Sequence, residues 1–347
     1  MAANRKLGFG MVIPAGMVGR KEYMKLVGRL RLFVILGLVA SFVVFLLVAV
    51  FGGFSDVIST IAHANMGYFF LAFVSVFLGY VIRYGKWEYY LRMLKIKVSM
   101  AKSFLIYLSA YCMDITPGRV GRAVAAYTLK KVTKINFMTI VPIVTMDLFT
   151  DFFGFAILAL VTAIYVGKYL VYIAAFDLVL IIPFVLIINP WIFDYVKSKK
   201  NKGYISRKIE EHGSRYYMSQ NKLNKPSIYL SSLVFTVPAD ILNAMGLYFS
   251  LLAIGVKPRV IISLFIFATS QIFGMVSTLP GSIGVADATL VALLKTMLGL
   301  SSTASSAVTI MARIATLWFG VLLGMLVLVY TMRYWKTEKD KKRKEKN

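Results

Sequence analysis

Apolar runs of membrane-spanning length alternate with short polar connections along nearly the whole chain, and this alternation predicts an all-α polytopic membrane protein. The runs are Leu32 to Phe51, Met66 to Ile82, Phe137 to Tyr165, Tyr169 to Asn189, Ser227 to Ile254 and Thr303 to Met332. Two paired, shorter runs interrupt the series. Ser103 to Thr116 has fourteen residues, about 21 Å at the helical rise and short of a hydrocarbon core ~30 Å thick. It passes through Pro117-Gly118 into a second arm ending near Lys130. Arg259 to Thr278 similarly passes through Pro280-Gly281 into a fourteen-residue arm, Val285 to Leu298.

The two interruptions are near copies, 163 residues apart: 117–127 and 280–290 share five identities in eleven positions, all of them small residues or proline. Pro-Gly ends one helix and starts another, and backbone freed at membrane depth is tolerated only inside protein or along a wet cavity. A doubled unit with a broken hairpin in each half is a pointer to a transport site. The expected fold is therefore two inverted repeats, each of three spanning helices plus one Pro-Gly-broken re-entrant hairpin. The first repeat covers 32–165 and the second 169–332, with a basic loop at 197–226. A basic segment, 1–31, precedes them and a basic tail, 333–347, follows.

Composition agrees with this division: 347 residues are 59% hydrophobic, with a mean hydropathy of +0.74. Forty Lys and Arg against fifteen Asp and Glu would point to nucleic acid in a soluble chain. Here the basic residues flank apolar runs, where they set orientation and meet anionic lipid, so nucleic acid is not expected. The connection 52–65 has no Lys or Arg, whereas 83–102 carries six, including Arg83 and Lys86, and reads as a cytoplasmic loop. The same rule puts both termini in the cytoplasm of a cell-membrane protein. The stretch Gly8 to Gly19 does not read as a signal peptide. Cys112 stands alone, His63 and His212 are isolated, and neither a metal nor another cofactor is expected.

Ionisable residues inside the apolar runs need a partner or a task. Asp147 and Asp151 lie one helical turn apart and face the same way, and Arg313 lies at a similar depth in the last run. In an inverted repeat these three are expected to approach one another. One reading makes them an internal ion pair that fixes helix packing. The other makes Arg313, with Arg119 and Arg122, the binders of an anionic headgroup, since guanidinium donates two parallel hydrogen bonds to phosphate. Helix N-termini after Gly118 and Gly281 would aim backbone N–H groups at the same anion, and Gly121 and Gly284 would allow close backbone approach. Asp287 reads as a first-turn residue or a proton site, Asp240 and Asp177 as weaker proton or ion-pair candidates, and Asp114 as a cap for freed amides.

No enzyme signature is present: there is no metalloprotease helix, nucleophile elbow, P-loop or dinucleotide fingerprint, and catalysis is not expected. The late block Leu279-Pro-Gly-Ser-Ile-Gly-Val-Ala-Asp287, followed by Gly299 and then Arg313 in a final apolar helix, resembles the flippase-like family of the lysylphosphatidylglycerol synthase transmembrane region. Pro117 to Gly121 and the acidic pair after them resemble that family's first half. The family usually has Arg-Glu at Ala286-Asp287 and Glu-Arg-x-x-Asp at Asp147 to Asp151; this chain keeps the acids in kind and lacks both arginines. The resemblance implies lipid translocation, with aminoacylated phosphatidylglycerol or polyprenyl-phosphate-linked sugars as cargo. The expected function is movement of an anionic phosphate lipid between leaflets, with anionic lipids and envelope-glycan or lipid-modifying enzymes as partners. A small-anion or proton-coupled solute transporter and a non-transporting partner of an envelope glycosyltransferase are the alternatives. A lateral opening would favour lipid, a closed water-accessible ring solute, and full pairing of Arg313 and Asp147 without a cavity the scaffold.

Overall fold

The structure, a computed structural model, describes the backbone of residues 39–167 and 215–344, with 35, 37, 171–173, 175, 176 and 179 beside them. The side chains of 117, 118, 120 and 332–344 are not among those described. The segment 1–31, most of the run Tyr169 to Asn189 with Asp177, and most of the loop 197–226 lie outside the described residues.

Everything described is helix or connection. Helix α1, Val39–Phe51, bends by 100° into α2, Phe54–Ala62. Gly52-Gly53 supplies the bend: Gly53 has φ 83°, and a Cβ on Gly52 would lie 2.8 Å from Ser306 Oγ. The connection 52–65, read from sequence as a plain link, therefore contains a helix.

Helix α3, Met66–Met93, starts at Asn65, whose side chain accepts from the backbone N–H of Gly67 and Tyr68 at 2.9 and 3.3 Å. It has 28 residues, about 42 Å at the helical rise, and runs eleven residues past the boundary at Ile82 expected from sequence. Arg83 and Lys86 are thus buried inside a long helix and do not belong to a basic loop. The first broken pair is α4, Met100–Ala110, then 3-10 turns at Tyr111–Met113 and Pro117–Arg122, then α5, Ala123–Thr133. Lys134, at φ 62°, closes α5.

Helix α6, Phe137–Val166, is capped by Asn136 and ended by Gly167 at φ 72°. Helix α7, Pro226–Ala253, has proline at its first turn, where no N–H is needed, and Pro238 inside. The second broken pair is α8, Val260–Val276, a turn at Pro280–Ser282, and α9, Val285–Leu298. Helix α10, Ser302–Arg313, widens into a π-turn at Ile314–Trp318 and continues as α11, Phe319–Lys344. Tyr80 donates its hydroxyl to the Thr316 carbonyl at 3.1 Å, satisfying backbone within that turn.

Among the described residues, five helices are long and apolar enough to cross a membrane, or six if α1 and α2 form one broken span or re-entrant loop. One of the five is Pro280–Leu298, whereas Val260–Val276 has only 17 residues. The 19-residue stretch includes the Pro280–Ser282 turn; as helices, α8 with 17 residues stays longer than α9 with 14, the order expected from sequence. Both broken pairs close into hairpins, α4 on α5 and α8 on α9, and their Pro-Gly turns pack against each other inside the bundle. The remaining packing links early helices to late ones: α3 on α7, α6 on α8, α4 on α11, and α2 on α10. Where α3 crosses α7, small residues set the distance. A Cβ on Gly79 would lie 3.1 Å from the Ala239 carbonyl, and one on Gly246 3.1 Å from Val76.

A buried charge cluster and two joined helix breaks

Asp147 and Asp151 share one face of α6, and Arg83 and Lys86, three residues apart, share one face of α3. Packing of these helices with α7 and the first hairpin brings seven ionisable side chains together. Lys86, fully buried, has its Nζ 3.0 Å from Asp147 Oδ1 and 2.6 Å from Asp151 Oδ1. It also donates to Thr150 Oγ1 at 3.0 Å and to the Asp147 carbonyl at 3.3 Å. Arg83 bridges two helices, with Nε 3.3 Å from Asp151 Oδ1 and Nη2 on Asp240 Oδ1.

Arg122 closes the cluster from the first break. It holds Asp114 with both edges of a fork, Nε to Oδ1 at 2.5 Å and Nη2 to Oδ2 at 2.7 Å. Its Nη1 reaches Asp147 and Asp151 at 3.3 and 3.2 Å, and its guanidinium carbon lies 4.8 Å from the Tyr111 ring centre. A cavity of about 10 Å³, room for roughly one water, is lined by Arg122, Asp147, Trp87, Tyr107 and Tyr111 among others.

A second, smaller site lies at the other break. Gly281 has φ 61°, and its carbonyl accepts from Arg313 Nη2 at 2.7 Å. Arg313 Nε is 2.9 Å from Asp287 Oδ1. Asp287 Oδ2 in turn accepts from the N–H of Gly284, which has φ 89°, the one bond of a capping box that a glycine N-cap can form at the start of α9. The first turn of α9 therefore already holds an anion of its own chain.

This arrangement corrects two expectations and gives a third, for Asp240, more weight than the sequence did. Asp147 and Asp151 do not meet Arg313; the cations of α3 and the first break occupy them, while Arg313 is held at the second break by Asp287. Asp114 does not cap the freed amides. The Thr116 hydroxyl does, accepting from the Gly121 N–H at 2.8 Å, and Asp114 is engaged by Arg122. Asp240, a weak candidate in sequence, is at the centre as the partner of Arg83.

The remaining candidates fall as follows. Gly118 and Gly121 lie in the first break, where a Cβ on Gly121 would come within 2.6 Å of Met113 Cβ. Arg122 is 4% exposed, so it does not reach out to a surface. Arg119 differs from it: φ is 54°, the side chain is half-buried, and among the described residues it makes no ion pair or side-chain hydrogen bond. No group of His, Cys, Asp and Glu side chains among the described residues is placed to hold a metal ion.

Arg83 and Lys86 are the residues that sequence reasoning missed. Their charge was assigned to a loop because it precedes four further basic residues. The available signal was spacing: two cations one turn apart, set among aromatics in a helix without a break, match two acids one turn apart on α6.

Long apolar helices, broken hairpins meeting inside the bundle and a buried ionic core define a polytopic helical membrane protein. Residues 34–324 match the lysylphosphatidylglycerol synthase TM region family, and the chain belongs to that family. A UPF0104 membrane protein of Methanothermobacter thermautotrophicus is 22% identical, over 80% of this chain and 89% of its own length.

Proposed function

We propose that this protein is a lipid translocase that moves an anionic phosphate lipid, polyprenyl-phosphate-linked or aminoacylated phosphatidylglycerol, between leaflets. The observation that carries the reading is Arg119. It lies in the first Pro-Gly break, against the second, with a guanidinium that no carboxylate of the described residues takes. Its left-handed backbone costs roughly 1–2 kcal/mol, and such outliers gather at working sites. Arg122 and Arg313 hold the breaks together, and Arg119 meets the phosphate.

The cavity beside Arg122 has room for about one water, so a headgroup enters only when the two breaks part. The packing suits such a movement. Helix α3 and its counterpart α7 meet, the two breaks meet, and the contact of α4 with α11 mirrors that of α8 with α6. That pattern fits two inverted repeats about a central axis, rocking to expose the breaks alternately. The exposed faces of Phe42, Leu47, Phe70 and Leu78 suit contact with acyl chains.

One observation favours a second reading, a non-transporting membrane partner of an envelope enzyme: Arg313 and Asp147 are both paired within the chain. Flip assays on reconstituted vesicles separate the two. With labelled anionic phosphate lipid, Arg119→Ala is expected to slow transfer at least tenfold while Arg119→Lys retains part of it, and zwitterionic lipid should move slowly in both. Absence of transfer by the unaltered protein for every anionic phosphate lipid tried would favour the scaffold.

A further inference from the structure

The buried cluster contains four carboxylates, Asp114, Asp147, Asp151 and Asp240, and three cations, Arg83, Lys86 and Arg122. With every group ionised these seven carry one net negative charge, and Arg119, the further cation in the first break, makes an ion pair with none of the four, so one carboxylate lacks a counter-charge in direct contact away from water. A group in that position takes up a proton instead.

Geometry selects which carboxylate does so. Asp151 lies beside three cations and Asp147 beside two. Asp114 has one cation but uses both oxygens on it, in a fork with Arg122. Asp240 has one cation through one oxygen, and its Oδ2 is buried with no hydrogen-bond partner. Gly154 of α6 is packed against that oxygen, where any side chain at 154 would collide with it.

Around Asp240 itself the described residues offer no cation besides Arg83 and Lys86; Arg119, in the first break, lies on the side of Asp114 and Asp151. Helix α3 presents Arg83 and Lys86, α6 presents Asp147 and Asp151, and α8 has no ionisable residue over Val260–Val276. On α10, Arg313 is committed to Asp287 and Gly281. Within α7 itself Asp240 is the only acidic or basic residue, beside the phenols Tyr229 and Tyr248.

We propose that Asp240 is a proton-binding site, neutral in this structure, whose ionisation draws Arg83 from Asp151 on α6 to Asp240 on α7. On release the O–H bond of Asp240 breaks, the electron pair stays on oxygen, and the proton passes to water admitted when the bundle opens. The carboxylate then binds Arg83 with both oxygens, and the link from α3 to α6 weakens. Uptake of a proton from hydronium reverses each step. This deepens the translocase reading by giving the helix pair α3 and α7 a chemical trigger, but the test below needs no transport.

The test is infrared spectroscopy of the full-length protein in lipid nanodiscs, following the carbonyl stretch of a neutral carboxylic acid. The unaltered protein is expected to show such a band at neutral pH, and Asp240→Asn to lose it. Neutralising any of the four acids balances the charge, so loss alone does not locate the proton. Asp240→Glu should instead shift the band in frequency, while Asp114→Glu leaves it in place. If Asp240→Glu does not fold, hydrogen exchange in the unaltered protein gives the second reading: the band should shift in D2O, but only slowly, from a buried site. Absence of the band, its persistence in Asp240→Asn, or its shift in Asp114→Glu would each overturn the proposal. Failed lipid transfer with the band intact would instead count against the translocase reading alone.

Discussion

Arg313 donates from Nη2 to the Gly281 carbonyl at 2.7 Å while its Nε stands 2.9 Å from Asp287 Oδ1, so one side chain holds both sides of the second break. Asp287 also accepts from Gly284 N–H, which makes the break, the start of α9 and the end of α10 a single unit. Arg313→Leu leaves a carboxylate buried without its cation and is expected to lower unfolding stability by about 3–5 kcal/mol. Arg313→Leu combined with Asp287→Leu should cost less than the sum of the two single changes. Denaturant unfolding in mixed micelles measures this, and strict additivity would mean that the pair does not interact.

Lys86 is fully buried, with four oxygens within 3.3 Å of its Nζ. Lys86→Met is expected to cost about 3–5 kcal/mol, because Asp147 and Asp151 then face each other with only the two arginines between them. Thermal unfolding followed by circular dichroism is the measurement. A change of under a degree would remove Lys86 from the core of the cluster.

Gly324 of α11 lies against the backbone of the first hairpin. A Cβ there would meet the Cys112 amide nitrogen, with Leu108 O and Tyr111 C at 3.0 Å, and backbone cannot turn aside as a side chain can. Gly324→Ala should cost about 1–3 kcal/mol by forcing α11 off α4. Gly299→Ala has open space and only its φ of 65° to oppose it, so it should cost less, of order 1 kcal/mol. The same unfolding assay ranks them, and a reversed order would contradict the packing described.

Cys112 is 1% exposed and donates its thiol to Ser109 O at 2.9 Å, just before the first break. As the single cysteine of the chain it reports on that region directly. A maleimide should label it only after denaturation in neutral lipid. If anionic phosphate lipid parts the breaks, labelling should accelerate several-fold in its presence. Equal rates in both lipids would argue that the breaks stay closed around substrate.

Several features were legible along the chain. The boundaries of α6, α7 and α9 lie within two residues of those read from hydropathy, because a run of apolar side chains ends where the helix leaves its apolar surroundings. Both Pro-Gly breaks were equally plain, since proline and glycine act on the local backbone. Helix α3 was not, because charge marks its last eleven residues as a connection. The hidden information was that acids from α6 and α7 neutralise that charge.

By itself, then, the sequence determined the class of protein, the helices and the places where they break, all of which depend on neighbours a few residues away. Which charges meet was decided only by the tertiary structure. Pairing Arg83 with Asp240 spans 157 residues and Arg122 with Asp151 spans 29. An ion pair in a low-dielectric interior depends on ångström distances between helices, which no spacing along one chain specifies.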